Sequence, residues 1–313
     1  MLVYTGGIIG LVLLYYGAEF LVKGGSSIAL KLKISPLVIG LTLVAYATSA
    51  PELVVSVDAA LKGVGDISIG NVVGSNICNI ALILGICAMI TPLTVNKKLL
   101  KFDIFLMIAA SVLLLIFYAV TGGVNRIEAA LLLAICLSYT VGSIYSSRRE
   151  NTAAAETANE VPTTQYALWL AIVFVIGGLA ALVGGAKLFV NAAIAMAQAC
   201  GVSDAVIGLT VVAVGTSLPE LATSMVAAIK KEQDIAIGNV IGSNIFNILA
   251  ILGIAPLICP IQTNDISYVD MFLMLGLGIV LYPVMRTGMK INRLEGAFLL
   301  IIYLADTVYL LMQ

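Results

Sequence analysis

Apolar residues run in long blocks at 3–30, 36–61, 67–93, 103–121, 127–146, 166–199, 204–229, 235–260, 268–286 and 294–312, with short polar stretches between them. About 20 apolar residues cross a bilayer as a helix, so the pattern predicts an all-α polytopic membrane protein with ten transmembrane helices. The one long polar stretch is 147–164, where Arg148, Arg149, Glu150 and Glu160 are separated by alanine and threonine. It reads as a linker between a first five-helix half, 1–146, and a second, 165–313. The first apolar block passes into the second without a small-residue cleavage site, so it reads as helix one rather than a removable signal.

Composition strengthens this reading. The chain has 313 residues, of which 61% are hydrophobic and 11% charged, against roughly 45–50% and about 25% in a soluble domain. Little is left for any water-soluble domain. A net charge of −1 without basic runs gives no footprint for nucleic acid, and the absence of histidine removes the commonest general base and zinc ligand. Cys78, Cys87, Cys136, Cys200 and Cys259 lie in apolar runs without paired C-x-x-C spacing and are expected to be small buried residues. With the amino terminus outside, thirteen of the sixteen lysines and arginines fall on one side, leaving Lys62, Arg126 and Lys187 for the other. The positive-inside rule then predicts a cytoplasmic linker and both termini external, in a plasma or inner membrane.

Residues 36–92 align with 204–260 at a constant offset of 168, with 34 of 57 positions identical. Ile39-Gly40-Leu41-Thr42 and Thr48-Ser49-Ala50-Pro51-Glu52 return as Ile207-Gly208-Leu209-Thr210 and Thr216-Ser217-Leu218-Pro219-Glu220. A second block, Gly70-Asn71-Val72-Val73-Gly74-Ser75-Asn76-Ile77-Cys78-Asn79, returns as Gly238 to Asn247, and a fainter echo pairs Asn125–Glu128 with Asn292–Glu295. Each half holds an odd number of crossings, so the halves must enter the membrane from opposite sides. That is an inverted-topology repeat, with a substrate site expected near the midplane. Packing alone would retain apolar and small residues, whereas the faithful matches include a carboxylate, hydroxyls and amides, groups that are expensive in lipid.

Thr48, Ser49 and Glu52 stand at i, i+1 and i+4, which places both hydroxyls beside the carboxylate; Thr216, Ser217 and Glu220 repeat the spacing. Pro51 and Pro219 crowd the carbonyls of Ala47 and Gly215 and are expected to break their helices, freeing carbonyl oxygens at mid-membrane. Ser75 with Asn79 and Ser243 with Asn247 are i, i+4 pairs, and Gly70, Gly74, Gly238 and Gly242 are expected to allow close helix approach. Two carboxylates, hydroxyls, amide oxygens and loosened carbonyls suit hard cations, and calcium, tolerant of irregular coordination by 6–8 oxygens, suits them better than magnesium. Ionised and unoccupied, each glutamate would cost roughly 2.5–3.5 kcal/mol at a helix centre. A divalent cation, two monovalent cations or protons must offset that charge, so calcium and sodium competing for one pocket gives exchange in outline.

These paired blocks resemble the two alpha repeats of the sodium/calcium exchanger family, within the calcium/cation antiporter superfamily. The resemblance spans both halves and implies an antiporter, not an enzyme, that carries Ca2+ and Na+ as substrates, needs no cofactor and has the lipid bilayer as its only implied partner. It further implies that Glu52 and Glu220 coordinate calcium with the backbone carbonyls of Thr48 and Thr216. Ser49, Ser75, Ser217 and Ser243, with the carbonyls of Ala45 and Ala213, would complete flanking sodium sites, and Asn79 and Asn247 would line the central position. Two departures stand out. Tyr46-Ala47 replaces the usual glycine before Thr48, which predicts a stiffer first helix break, and Asn247 replaces the aspartate of potassium-dependent relatives, which predicts potassium independence.

The remaining acids have plainer readings. Asp58 is expected near the external mouth beside Lys62; Asp66 and Asp234 are expected to cap helices, and Glu128 and Glu295 to cap or to pair at the surface. Glu19, Lys187 and Asp306 read as interfacial or paired between helices. Gly63-Val64-Gly65-Asp66 spells the G-x-G-D pattern of intramembrane aspartyl proteases, but its repeat copy is Lys231-Glu232-Gln233-Asp234 and it lacks a facing aspartate. A proton-coupled calcium exchanger is the closer alternative, since protons could also neutralise the glutamates. A passive channel suits broken inverted repeats less well.

Overall fold

The computed structural model describes residues 2–158, 166–201, 211, 213–263 and 266–312. Its helices are α1 (Leu2–Leu32), α2 (Pro36–Thr48), α3 (Ala50–Leu61), α4 (Gly65–Ile90), α5 (Leu99–Thr121), α6 (Arg126–Ala158), α7 (Leu168–Ala199), α8 (Leu218–Ile229), α9 (Gln233–Ile258), α10 (Tyr268–Arg286) and α11 (Arg293–Leu311). Nine of the ten predicted crossings are present among the described residues, with α2 and α3 forming one crossing bent by 48°. Of the tenth, predicted at 204–229, the described part is Ala213–Gly215 and α8; its Ile207–Thr210 motif lies outside the described residues. Helix α6 continues through Ser147 to Ala158, so the first part of the polar stretch is helical, and residues 159–165 of the linker lie outside the described residues.

Four two-residue strands were not foreseen: β1 (Leu93–Thr94), β2 (Gly123–Val124), β3 (Ile261–Gln262) and β4 (Lys290–Ile291). They fix the relation between the halves. Helix α5, 23 residues with its opening turn and so about 35 Å long at ~1.5 Å per residue, holds β1 and β2 apart at opposite membrane faces. Strand β1 pairs antiparallel with β4 and β2 with β3. The offset of 168 makes Leu93 the counterpart of Ile261, yet Leu93 pairs with Ile291 and Ile261 with Val124. Repeat counterparts therefore sit at opposite faces, which is the inverted topology itself.

One face gathers the cations. Lys98 pairs with Glu150 at 3.2 Å, Asn151 Nδ2 donates to the Lys33 carbonyl at 3.3 Å, and the Ser35 N–H donates to Ser147 Oγ at 2.7 Å. Gln233 accepts from the Thr94 N–H at 3.0 Å and donates to the Pro92 carbonyl at 3.2 Å. These bonds tie the linker helix and the loops at 33–35, 92–98 and 230–233 to the β1–β4 end, the lysine-rich face. Lys230 also meets Glu19 at 2.5 Å, and Lys23 joins the same carboxylate at 2.7 Å, so Glu19 is paired between helices.

Small residues bring backbones together, as lipid-embedded helices require. Along α1 and α7, Gly10 meets Gly185, Gly17 meets Gly178 and Gly24 meets Ala171; a Cβ on Gly17 would lie 2.8 Å from the Gly178 carbonyl oxygen. Helices α4 and α9 occupy the centre, and residues Ile235 to Ala255 of α9 are buried almost without interruption. The cysteine expectation holds for Cys78, Cys87 and Cys136 but not for Cys200, which is exposed, or Cys259, which is half-buried. Cys200 caps the end of α7, and Cys259 follows the last turn of α9, so both sit where helices leave the core.

Candidate functional site

Both proline-bearing crossings break at equivalent serines. Ser49 has φ −85° and ψ 9°, and Ser217 has φ −86° and ψ 5°, each immediately before a helix with proline in its first turn. The Tyr46-Ala47 departure leaves no mark on this shape. Tyr46 instead packs against Phe246, the rings tilted by 32° with centroids 4.4 Å apart, and hydrogen-bonds Thr140. The central helices widen into π-helical turns, Cys78–Ile83 and Asn247–Ile251, which end at matching residues and carry Asn79 as second and Asn247 as first residue. Such turns are common at functional sites because they loosen the backbone ladder.

The breaks bring the two carboxylates into one polar centre. Glu52 and Glu220 are each 1% exposed. Sequence spacing places each serine beside its own glutamate, but the bonds cross between repeats: Ser49 Oγ donates to Glu220 Oε1 at 2.8 Å, and Ser217 Oγ lies 3.4 Å from Glu52 Oε1 and from Ser75 Oγ. The bend after Ser49 turns its side chain away from α3 and towards the other half. The Thr48 hydroxyl is shared between Asn239 Oδ1 at 3.1 Å and the Ala45 carbonyl at 3.3 Å. Ala45 also accepts the Ser49 N–H at 3.0 Å, so its carbonyl is already engaged within the helix. Thr216 is half-buried at the edge of this centre, and Ala213 opens the short turn Ala213–Gly215.

Four asparagines outside the expected set organise the rest. Asn79 Nδ2 donates to Asn244 Oδ1 at 3.0 Å, and Asn247 Nδ2 donates to Asn76 Oδ1 at 3.0 Å. Asn71 Nδ2 donates to the Glu52 carbonyl at 3.1 Å and to Ser56 Oγ at 3.0 Å; Asn239 does the same to the Glu220 carbonyl at 3.3 Å and Ser224 at 2.9 Å. All four are identical between the repeat copies and interrupt apolar runs, the same signal that singled out Asn79 and Asn247.

With the amide nitrogens taken, oxygens remain. Glu52 Oε2, Glu220 Oε2, Asn79 Oδ1, Asn247 Oδ1 and Ser243 Oγ are all buried without a hydrogen-bond partner. Buried polar atoms are normally satisfied; among the described residues, the same condition is met only by Ser26 Oγ, Ser68 Oγ, Thr223 Oγ1 and Asp270 Oδ1 besides these five. A cavity of about 520 Å³ reaches this region; Ser75 and Thr216 line it with Ile67, Ile266, Asp270 and Asp306, which belong to the face opposite the lysines. The acids read as plainer features are largely accounted for. Asp58 pairs with Lys62 at 2.6 Å at the surface, and Glu128 and Glu295 cap α6 and α11 through the N–H groups of Asn125 and Asn292 at 2.8 Å each. Asp66 and Asp234 lie in the first turns of their helices, which leaves the G-x-G-D pattern at a helix start near the membrane face.

The sequence profile of the sodium/calcium exchanger proteins matches residues 2–145 and 170–312. The chain belongs to the sodium/calcium exchanger family. It is therefore a multi-pass membrane transporter and not an enzyme. The putative antiporter CaxA of Alkalimonas amylolytica is 41% identical over 311 residues, covering 95% of each chain. The sodium/calcium exchanger MaX1 of Methanosarcina acetivorans is 35% identical over 340 residues, covering 97% of each. Among solved structures, the sodium-calcium exchanger NCX_Mj, soaked with zero Na+ and Ca2+, superimposes with a TM-score of 0.83 at 34% identity over 99% of each chain. The exchanger fold thus covers both halves and the whole polar centre.

Proposed function

We propose that this exchanger moves Ca2+ against Na+ by alternating access, electrogenically and without potassium. The observation that carries the reading is the set of five unpartnered buried oxygens, two of them on carboxylates contributed by different repeats. Glu52 and Glu220 together bring a formal charge of −2, which one calcium ion or two sodium ions neutralise. A third sodium, the stoichiometry implied by the family, would occupy a neutral flanking site among Ser49, Ser75, Ser217 and Ser243 and move one net charge per cycle. The empty pocket resists reorientation because two buried carboxylates without a counter-ion are expensive in the bilayer. Transport of one ion type is thereby tied to return of the other.

The positive-inside rule supports a cytoplasmic lysine-rich face and external termini. In that orientation the cavity beside Ser75 and Thr216 faces outward. The domain reading is two five-helix halves, 1–146 and 165–313, joined by a cytoplasmic linker at 147–164. Radiocalcium uptake into vesicles holding purified protein, with sodium and proton gradients imposed separately, tests the coupling. Calcium uptake driven by an outward-directed sodium gradient alone supports the reading. Uptake driven by protons alone would transfer the protein to the proton-coupled class.

A further inference from the structure

The two asparagines that hold Asn79 and Asn247 are themselves backed by sulfur. Asn76 Nδ2 donates to the Asn244 carbonyl at 3.3 Å and to Met274 Sδ at 3.7 Å. Asn244 Nδ2 donates to the Asn76 carbonyl at 3.5 Å and to Met107 Sδ at 3.6 Å. Met107 comes from α5 and Met274 from α10, so each thioether serves the asparagine of the other half; both methionines are 2% exposed. The arrangement is written twice in the chain. Asp103-Ile104-Phe105-Leu106-Met107 returns as Asp270-Met271-Phe272-Leu273-Met274 at an offset of 167, the offset that also separates Asn125–Glu128 from Asn292–Glu295. Leucine would fill a buried helix position of this size equally well. What methionine adds is a hydrogen-bond acceptor that carries no donor.

An asparagine amide donates at one end and accepts at the other, so its direction follows from what each end meets. Asn76 faces two acceptors on one side, the Asn244 carbonyl and the Met274 thioether, and the carbonyl bond is long for N–H···O. The NH2 group turns to that side, which leaves Asn76 Oδ1 to accept from Asn247 Nδ2 at 3.0 Å. Asn247 has then committed its own NH2 group, and its Oδ1 stays open. The mirror chain runs from Met107 through Asn244 to Asn79, whose Nδ2 donates to Asn244 Oδ1 at 3.0 Å and whose Oδ1 is likewise open. Reversal of either chain would present an NH2 group to a cation in place of an oxygen.

We infer that Met107 and Met274 are positioning residues of the cation site. Their thioethers set the direction of two amide relays, Met274 to Asn76 to Asn247 and Met107 to Asn244 to Asn79, and so turn amide oxygens towards the ion. The inference rests on the reading of Asn79 and Asn247 as cation ligands and extends it two side chains outward.

The test is a double-mutant cycle, read by calorimetric titration of calcium into purified full-length protein. Met274→Leu keeps the volume and removes the acceptor. It is expected to weaken calcium binding roughly fivefold, the equivalent of one ordinary hydrogen bond. The loss should persist in the Asn244→Ala background. In the Asn76→Ala background it should shrink to less than about twofold, because no relay is left for the sulfur to direct. A packing role would cost the same factor in both backgrounds. Met107→Leu is expected to show the mirror result, persisting with Asn76→Ala and vanishing with Asn244→Ala, and it decides the matter if Met274→Leu does not fold. Parental affinity in folded Met274→Leu, or an undiminished loss in Asn76→Ala, would overturn the inference. Parental affinity in Asn76→Ala and Asn244→Ala themselves would overturn the ligand reading of Asn79 and Asn247, and the inference with it.

Discussion

Ser49 Oγ donates to Glu220 Oε1 at 2.8 Å, so a hydroxyl from the first repeat completes the carboxylate of the second. Its counterpart, Ser217 to Glu52, is longer at 3.4 Å. A hydrogen bond to a buried charge contributes about 1.5–3 kcal/mol. Ser49→Ala is therefore expected to lower the thermal stability of the ion-free protein by about that amount, and Ser217→Ala by less. Added calcium should narrow both gaps by offsetting the carboxylate charge. Thermal unfolding with and without chelator checks the order.

Asn76 and Asn244 hold the amide nitrogens of Asn247 and Asn79 and so turn their oxygens inward. Residues that orient ligands in this way typically affect affinity by about 10–100-fold. Asn76→Ala and Asn244→Ala are expected to weaken calcium binding by roughly tenfold while leaving the fold intact. Calorimetric titration of purified protein measures the change directly.

Much of this was legible from residue pattern alone. Long apolar blocks gave the crossings, and the offset of 168 gave the repeat, because membrane helices are written in local sequence. Glu52 and Glu220 stood out because a carboxylate in an apolar run needs a reason. The crossed serine bonds did not, since the i, i+3 spacing of each serine from its own glutamate describes an unbroken helix and the chain bends 48° at Ser49. The β1–β4 and β2–β3 pairs join segments more than 130 residues apart, beyond the reach of local periodicity. Asn71, Asn76, Asn239 and Asn244 carried the same signal but were not singled out, because what they do is hydrogen-bond other polar groups of the centre, a relation between segments that spacing does not show.

Transport is expected to respond to voltage. One net charge per cycle couples to the membrane potential by about 2.3 kcal/mol per 100 mV. Potassium-valinomycin potentials of opposite sign should speed and slow calcium uptake. A rate indifferent to voltage would indicate two-for-one exchange.

Potassium is expected to be irrelevant once voltage is clamped. Asn247 and Asn79 offer neutral amide oxygens, so calcium alone balances the two glutamates. Sodium-driven uptake should run at closely similar rates with choline or potassium outside. Asn247→Asp raises the formal pocket charge to −3 and should make uptake sensitive to potassium.

The account stands on Glu52 and Glu220 acting together as the charged part of the cation site. The most direct measurement is calcium uptake by Glu52→Gln and Glu220→Gln beside Asp66→Asn, each first shown to be folded by size-exclusion chromatography. Each glutamine variant removes one of the two buried charges, whereas Asp66 sits in the first turn of α4 near the membrane face. The predicted result is loss of calcium transport in both glutamine variants and near-parental transport in Asp66→Asn. Parental rate and affinity in either glutamine variant would contradict the account.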